Sequence, residues 1–237
     1  MDTIVLGDLQ VSVEFKDIKN IHLSVYPPDG RVHISAPTRM NLETIRVYVI
    51  SKHRWIKTQQ DKFKNQVRET SREYITRESH YFLGERYLLK VMEHDASPKI
   101  ILKKKEILMM VRPDTNQEKR QEILDEWYRS ELKHVAQPMI ENWVKKIGVD
   151  LNEFGVKKMK TKWGTCNHQA KRIWLNLELA KKPLECIEYI VVHELIHLIE
   201  PSHNQTFISY LDFHLPKWKF YRDELNRLPI SHTNWNY

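Results

Sequence analysis

Cysteine is scarce: Cys166 and Cys186 are the only two in 237 residues. Two thiols make no disulfide framework, and the absence of a CxxC pair excludes the usual closed thiolate zinc site. No run of about 18 apolar residues occurs, so a membrane-spanning helix is excluded. Met1-Asp2-Thr3 lacks the basic-then-apolar pattern of a secretory leader. Together these absences give the cytoplasm as the expected location. Internal repeats and low-complexity tracts are also missing from the sequence. What remains, 41% apolar and 29% charged residues, is ordinary for a soluble globular protein, with bulk enough for one large domain or two small ones.

Negative charge is thin in two places. The net charge is +7, and residues 157–172 hold six Lys or Arg with no Asp or Glu. Residues 39–72 hold nine basic and three acidic side chains. Such segments suit an anionic partner, whether nucleic acid, a nucleotide or an acidic protein, or else form a solvated basic face.

Periodicity places the elements. Val11, Val13 and Phe15, then Ile21, Leu23 and Val25, then Val32, Ile34 and Ala36 alternate with polar residues, so strands are expected over residues 3–36. A helix is expected from about 42 to 67, with Asn41 as its N-cap. Residues 70–80 form a polar break. Strands follow near 87–92 and 100–111, then a helix over 117–147 that Gly148 ends and Pro138 should interrupt or kink. Two strands, 156–162 and 173–179, flank a turn at 164–171. Two more helices follow, the last over 204–228 and broken at Pro216. The expected fold is α+β: a β-rich N-terminal half, then a zincin-like C-terminal catalytic domain with a small sheet and an HExxH helix. The expected boundary lies between residues 1–115 and 116–237.

The segment His193-Glu194-Leu195-Ile196-His197 carries the chemistry. Residues four apart share a helix face, so the two imidazoles can hold one zinc ion, and Glu194 between them can reach a water beside it. The surrounding residues, Ile187 to Val192 and Leu195 to Ile199, are mostly apolar, which predicts a buried helix. A buried His-Glu-His set calls for a cation, because unpaired buried charge is costly. Pro201 should turn the chain after His197 and swing His203 back as a third ligand. Three protein ligands leave one position open, as in catalytic rather than structural zinc sites. Glu200 and, farther on, Glu224 are rival third ligands. The spacing matches the metzincin motif, but Glu200 stands where those proteins have glycine.

Three segments carry a family resemblance. They are Lys162-Trp163-Gly164-Thr165-Cys166, Ile173-Trp174-Leu175-Asn176 and the 193–203 segment. In order and spacing they resemble the YgjP-like metallopeptidases, relatives of the SprT-like proteases and minigluzincins. Val25-Tyr26-Pro27-Pro28-Asp29-Gly30-Arg31-Val32 extends the likeness toward the N-terminus. The chain departs from the family pattern at Lys162, where Arg is usual, at Thr165, where Ser is usual, and at Ile208, where an aromatic residue is usual. Lys lacks the bidentate fork of Arg.

The resemblance implies a zinc-dependent hydrolase of peptides or proteins. His193, His197 and His203 would hold Zn2+, and Glu194 would act as general base. Lys162, Trp163, Tyr210 and His214 are the substrate or transition-state contacts to look for, with Tyr221 a further oxyanion candidate. Residues 173–179 are a candidate edge strand for an extended substrate. Two alternatives accompany this reading. One is a metal-dependent nucleotide pyrophosphatase or phosphohydrolase using the basic residues of 157–172. The other is a DNA-associated protease acting on nucleic-acid-bound proteins.

Overall fold

Leu9, Val11 and Val13 face one side of a strand and are all buried, as the alternation requires. A computed structural model of the chain describes residues 2–26, 29–65, 72–159 and 162–228. The described residues form two compact units, 2–65 and 72–228. The expected boundary at 115/116 falls inside the second unit, because the strands before it share one core with everything after.

In the first unit, β1 (Asp2–Leu6), β2 (Leu9–Lys16), β3 (His22–Tyr26) and β4 (Arg31–Pro37) form a sheet of order β1-β2-β4-β3. The β2–β4 pair is parallel and the outer pairs are antiparallel. Helix α1 (Leu42–Asn65) buries Ile45, Val49 and Ile56 with this sheet's apolar residues. Asn41 caps α1, its side-chain oxygen accepting from the Thr44 amide at 2.8 Å. Residues 66 and 67 of the expected helix lie outside the described residues. Gly30 has φ +74°, and a Cβ there would stand 2.7 Å from Gln60 Cγ.

The second unit begins with the same design. Strands β5 (Ser79–Phe82), β6 (Glu85–Glu93), β7 (Lys99–Leu102) and β8 (Glu106–Val111) lie in the order β5-β6-β8-β7. Again the central pair is parallel and the outer pairs are antiparallel. A long helix, α2 (Gln117–Ile147), follows, as α1 follows the first sheet. The fold thus contains a repeated topology where the sequence has no visible repeat. Pairing pattern recurs while side-chain identity does not. Strand β5 lies in the region expected to be only a polar break.

Helix α2 runs through Pro138 as one element, against the expected interruption. Pro138 is exposed, while Leu132, Ala136, Ile140 and Trp143 on either side are buried. Packing on that face offsets the lost hydrogen bond, which falls on the solvent side. Gly148 ends the helix in the left-handed region, donating its N–H to Val144.

The remaining elements build the site. Strands β9 (Glu153–Lys157), β10 (Gly164–Asn167) and β11 (Arg172–Asn176) form a sheet of order β10-β11-β9. A 3-10 turn (Leu177–Lys181) leads to α3 (Leu184–Ile196), then α4 (Gln205–His214) and α5 (Trp218–Arg227). The break between α4 and α5 comes at Pro216, as expected. Residues 164–167, expected as a turn, are a strand, and β11 is central rather than an edge. The strand expected over 156–162 lies instead at Glu153–Lys157, and the one expected over 173–179 gives way after Asn176 to the 3-10 turn. The molecule is α+β, with three small sheets and five helices among the described residues. No helix among them is long and apolar enough to cross a membrane.

Candidate metal centre and cleft

Helix α3 is apolar on nearly every side, and Ile187, Val191, Val192, Leu195 and Ile196 are all fully buried. It carries His193 and Glu194 in its last turn, and His197 is its C-cap residue. The chain then turns, with Leu198 donating to Leu195 and Glu200 donating to Ile196. This turn returns His203 to the helix end. The Nε2 atom of His203 lies 3.0 Å from that of His193 and 3.1 Å from that of His197.

Burial holds the His193 imidazole neutral, its pKa pushed down to about 3, with the neighbouring His197 and His203 adding to the effect. Burial also lowers His197. The three rings aim their Nε2 atoms at one point. Ligands of one tetrahedral zinc, at about 2.0–2.1 Å each, stand about 3.3 Å apart, so the cluster matches the spacing of a single ion. Among the described residues, it is the one group of three or more His, Cys, Asp or Glu so placed.

The rings are held from outside. His197 Nδ1 lies 3.0 Å from the Glu200 carbonyl oxygen, a bond that fixes the tautomer with the Nε2 lone pair turned inward. Phe207 forms a floor, its ring centroid 4.9, 4.6 and 4.8 Å from those of His193, His197 and His203. Asn204 caps α4 by accepting from the Phe207 amide at 3.0 Å, which sets that floor in place. Tyr189 meets His193 edge-on at 5.8 Å. The rival ligands point elsewhere. The Glu200 carboxylate accepts from the amide and hydroxyl of Ser202 at 3.1 and 2.7 Å, bonds that lower its pKa. Glu224 lies beside Cys186, 4.0 Å from its sulfur.

Glu194 is 5% exposed, and burial pushes its carboxyl up to about 8 against the opposing charge of Lys162. Both line a cleft of ≈ 480 Å³ that also takes in the histidine cluster. One wall is Trp163 and strand β10, through Gly164, Thr165 and Cys166. The backbone of Gly164 abuts the Glu194 carboxylate. Asn176 fixes this wall: its Nδ2 donates to the carbonyls of Lys162 (2.7 Å) and Met159 (2.9 Å), and its amide donates to that of Trp163 (2.8 Å). Helices α3 and α5 supply Tyr189, Arg222 and Asn226. Cys166 lines the cleft as a thiol, burial and Glu194 raising it to about 11, so it is no ready nucleophile.

The structure therefore brings together His193, Glu194, His197, His203, Lys162 and Trp163. It does not bring in Tyr210 or His214, which stack on each other at 6.2 Å and 4° on α4, nor Tyr221, which packs against the core. Tyr189, Phe207, Arg222 and Asn176 went unassigned from sequence. Asn176 stood in a recognisable motif; the others carry no local pattern that separates them from core or surface residues. The basic residues of 157–172 are mostly occupied. Lys158 pairs with Asp125, Lys171 with Asp150 and Arg172 with Glu153, while Lys157 lies over the Trp174 ring. Lys160 lies outside the described residues.

A buried helix presenting two histidines and a glutamate, closed by a third histidine, is the kind of site metallopeptidases carry. The YgjP-like metallopeptidase domain family model matches residues 19–228, and the chain belongs to that family. Two solved metallopeptidase zymogens align with part of it. Abylysin of Pyrococcus abyssi is 19% identical with TM-score 0.36, over 40% of this chain and 98% of that one. Jannalysin of Methanocaldococcus jannaschii is 20% identical with TM-score 0.34, over 38% and 91%. No curated protein matches the chain.

Proposed function

We propose that the protein is a zinc-dependent peptidase in which His193, His197 and His203 hold the metal and Glu194 is the general base. The observation that carries this is the meeting of three Nε2 atoms in the cleft that also holds a buried carboxylate. Three imidazoles suit zinc, and three protein ligands would leave one position for substrate or water. A zinc ion held by these residues would supply Lewis acidity to a substrate carbonyl and to water. Glu194 accepts a proton from the water as the water attacks the peptide carbonyl, then hands it to the leaving amine. Burial suits Glu194 to both steps, since a carboxyl raised toward neutrality can take and return a proton.

The substrate backbone lies along β10. That strand is the edge of its sheet and faces the cleft, so an extended peptide can add to it by backbone hydrogen bonds. Lys162 and Trp163 contact the substrate just before this strand. Glu194→Gln tests the reading: metal content should stay at one equivalent while peptide hydrolysis falls by about 10²-fold or more. Undiminished hydrolysis in that variant would remove Glu194 from the reaction.

A further inference from the structure

We propose that the cleft selects peptides bearing a carboxylate within one or two residues of the scissile bond, with Lys162 and Arg222 as the residues that recognise it. This rests on the peptidase reading and goes beyond it by naming a substrate class.

The charge inventory of the cleft is lopsided. Its lining holds Lys162 and Arg222 as fixed cations and Glu194 as the lone carboxylate. Lys162 has no ion pair among the described residues, although it sits at the cleft wall. Its side chain is exposed and opposes the charge of Glu194, so its ammonium is open to a carboxylate on a bound ligand. Charges lining one concave site act together on a ligand, because the cleft concentrates their field.

The Lys162 backbone and the Arg222 guanidinium are anchored. Asn176 holds the Lys162 carbonyl at 2.7 Å, so the backbone that carries the ammonium is fixed to β11. Arg222 lies over the Trp218 ring at 5.1 Å, and Trp218 in turn stacks on Tyr189 at 6.2 Å and 16°. The Arg222 Nε and Nη2 atoms both reach the same Asp223 oxygen at 2.9 Å. Asp223 offsets part of the guanidinium's charge and fixes its plane, leaving Nη1 free of that pair. An oriented guanidinium loses little freedom on accepting a carboxylate.

Placement sets the distance. Gly164 abuts Glu194, which marks the scissile carbonyl's level, and Lys162 lies two residues before it. Two residues of chain span at most about 7 Å. A peptide running along β10 thus brings a side chain one or two positions from the scissile bond to the ammonium. A Glu or Asp there gains an ion pair in a partly desolvated cleft, and a Lys or Arg meets like charge.

The test measures binding, so that it stands apart from hydrolysis. The zinc-loaded full chain carrying Glu194→Gln is titrated with pools of octapeptides that differ only in Glu, Gln or Lys at one position, at low and moderate salt. The Glu pools should bind at least about tenfold more tightly than the Gln pools at the favoured position, with the Lys pools weakest. Lys162→Glu and Arg222→Glu should each bring the Glu-to-Gln ratio to one or below, while Lys162→Arg and Arg222→Lys keep it. Metal content is followed in every variant. Equal affinity for Glu and Gln pools, or a ratio untouched by both charge reversals, overturns the proposal. So does a nucleoside diphosphate that outcompetes every acidic peptide. A charge preference without any peptide cleavage by the unmodified protein would leave the recognition standing and sink the peptidase reading. Cleavage without preference would do the reverse.

Discussion

Gly164 and Glu194 touch: a Cβ built on Gly164 would stand 2.6 Å from Glu194 Oε1 and 2.7 Å from its Cγ. No side chain larger than hydrogen fits there without moving the carboxylate. Gly164→Ala should therefore lower kcat by at least about 10-fold, since displacement of a catalytic group by an ångström costs up to about 10²-fold. Metal content should not change. Steady-state kinetics beside metal analysis checks both, and a fully active Gly164→Ala protein would show that Glu194 need not stand where it does.

Asn176, the last residue of β11, ties that strand to the segment before β10. Its side chain donates to Met159 and Lys162, and its Oδ1 accepts from the Met159 and Glu178 amides at 3.3 and 3.2 Å. Asn176→Ala leaves these groups without their partner at a buried position, at a cost of about 1–3 kcal/mol. Urea unfolding should show that loss. KM for peptides should rise more than kcat falls, because the Lys162 backbone loses its side-chain anchor while the histidines keep theirs.

Phe207 supports all three imidazoles and is 2% exposed. Phe207→Ala should cost about 3–5 kcal/mol of stability. It should also weaken zinc binding by about 10-fold or more, as loss of groups that orient metal ligands does. Competition against a chelator of known affinity measures the second effect. Unchanged affinity would mean that the helix and turn alone orient the rings.

His80 gives a pH prediction away from the site. Burial, reinforced by the nearby charge of Arg72, holds its imidazole below the usual range, against the favourable contact with Glu78 at 3.1 Å. A folded pKa below the unfolded one means that the unfolded chain binds the proton first. Stability from this group is complete above about pH 6.5 and declines as pH falls from there toward the folded value. Metal-free protein should lose stability between pH 7.5 and 5 more steeply than metal-free His80→Gln. Parallel slopes in the two proteins would contradict this.

Much of the site was legible because its signal is local. His193, Glu194 and His197 share one helical turn, and Pro201 announces the bend that returns His203. The strands of the first unit were legible because one face is buried and the other wet, which writes a period of two into Val11, Val13, Val32 and Ile34. The missed features are non-local. Residues 164–167 read as a turn because Gly164 and Asn167 favour turns; their pairing with β11 makes them a strand, and a glycine is required there by contact with Glu194. The role of Phe207 depends on three rings from two segments. Tyr210 and His214 lie four residues apart on α4 and meet each other instead of the cleft. The repeated sheet topology left no trace in the sequence, since many apolar sets satisfy the same pairing pattern.

The central claim is a single metal shared by three histidines. Crystals of the zinc-loaded protein, with diffraction collected on both sides of the zinc absorption edge, test it most directly. One anomalous peak should appear about 2.0–2.1 Å from the Nε2 atoms of His193, His197 and His203, with Glu194 outside the coordination shell. A peak ligated by Glu200 or Glu224 in place of His203, or no peak at the cluster, would contradict it.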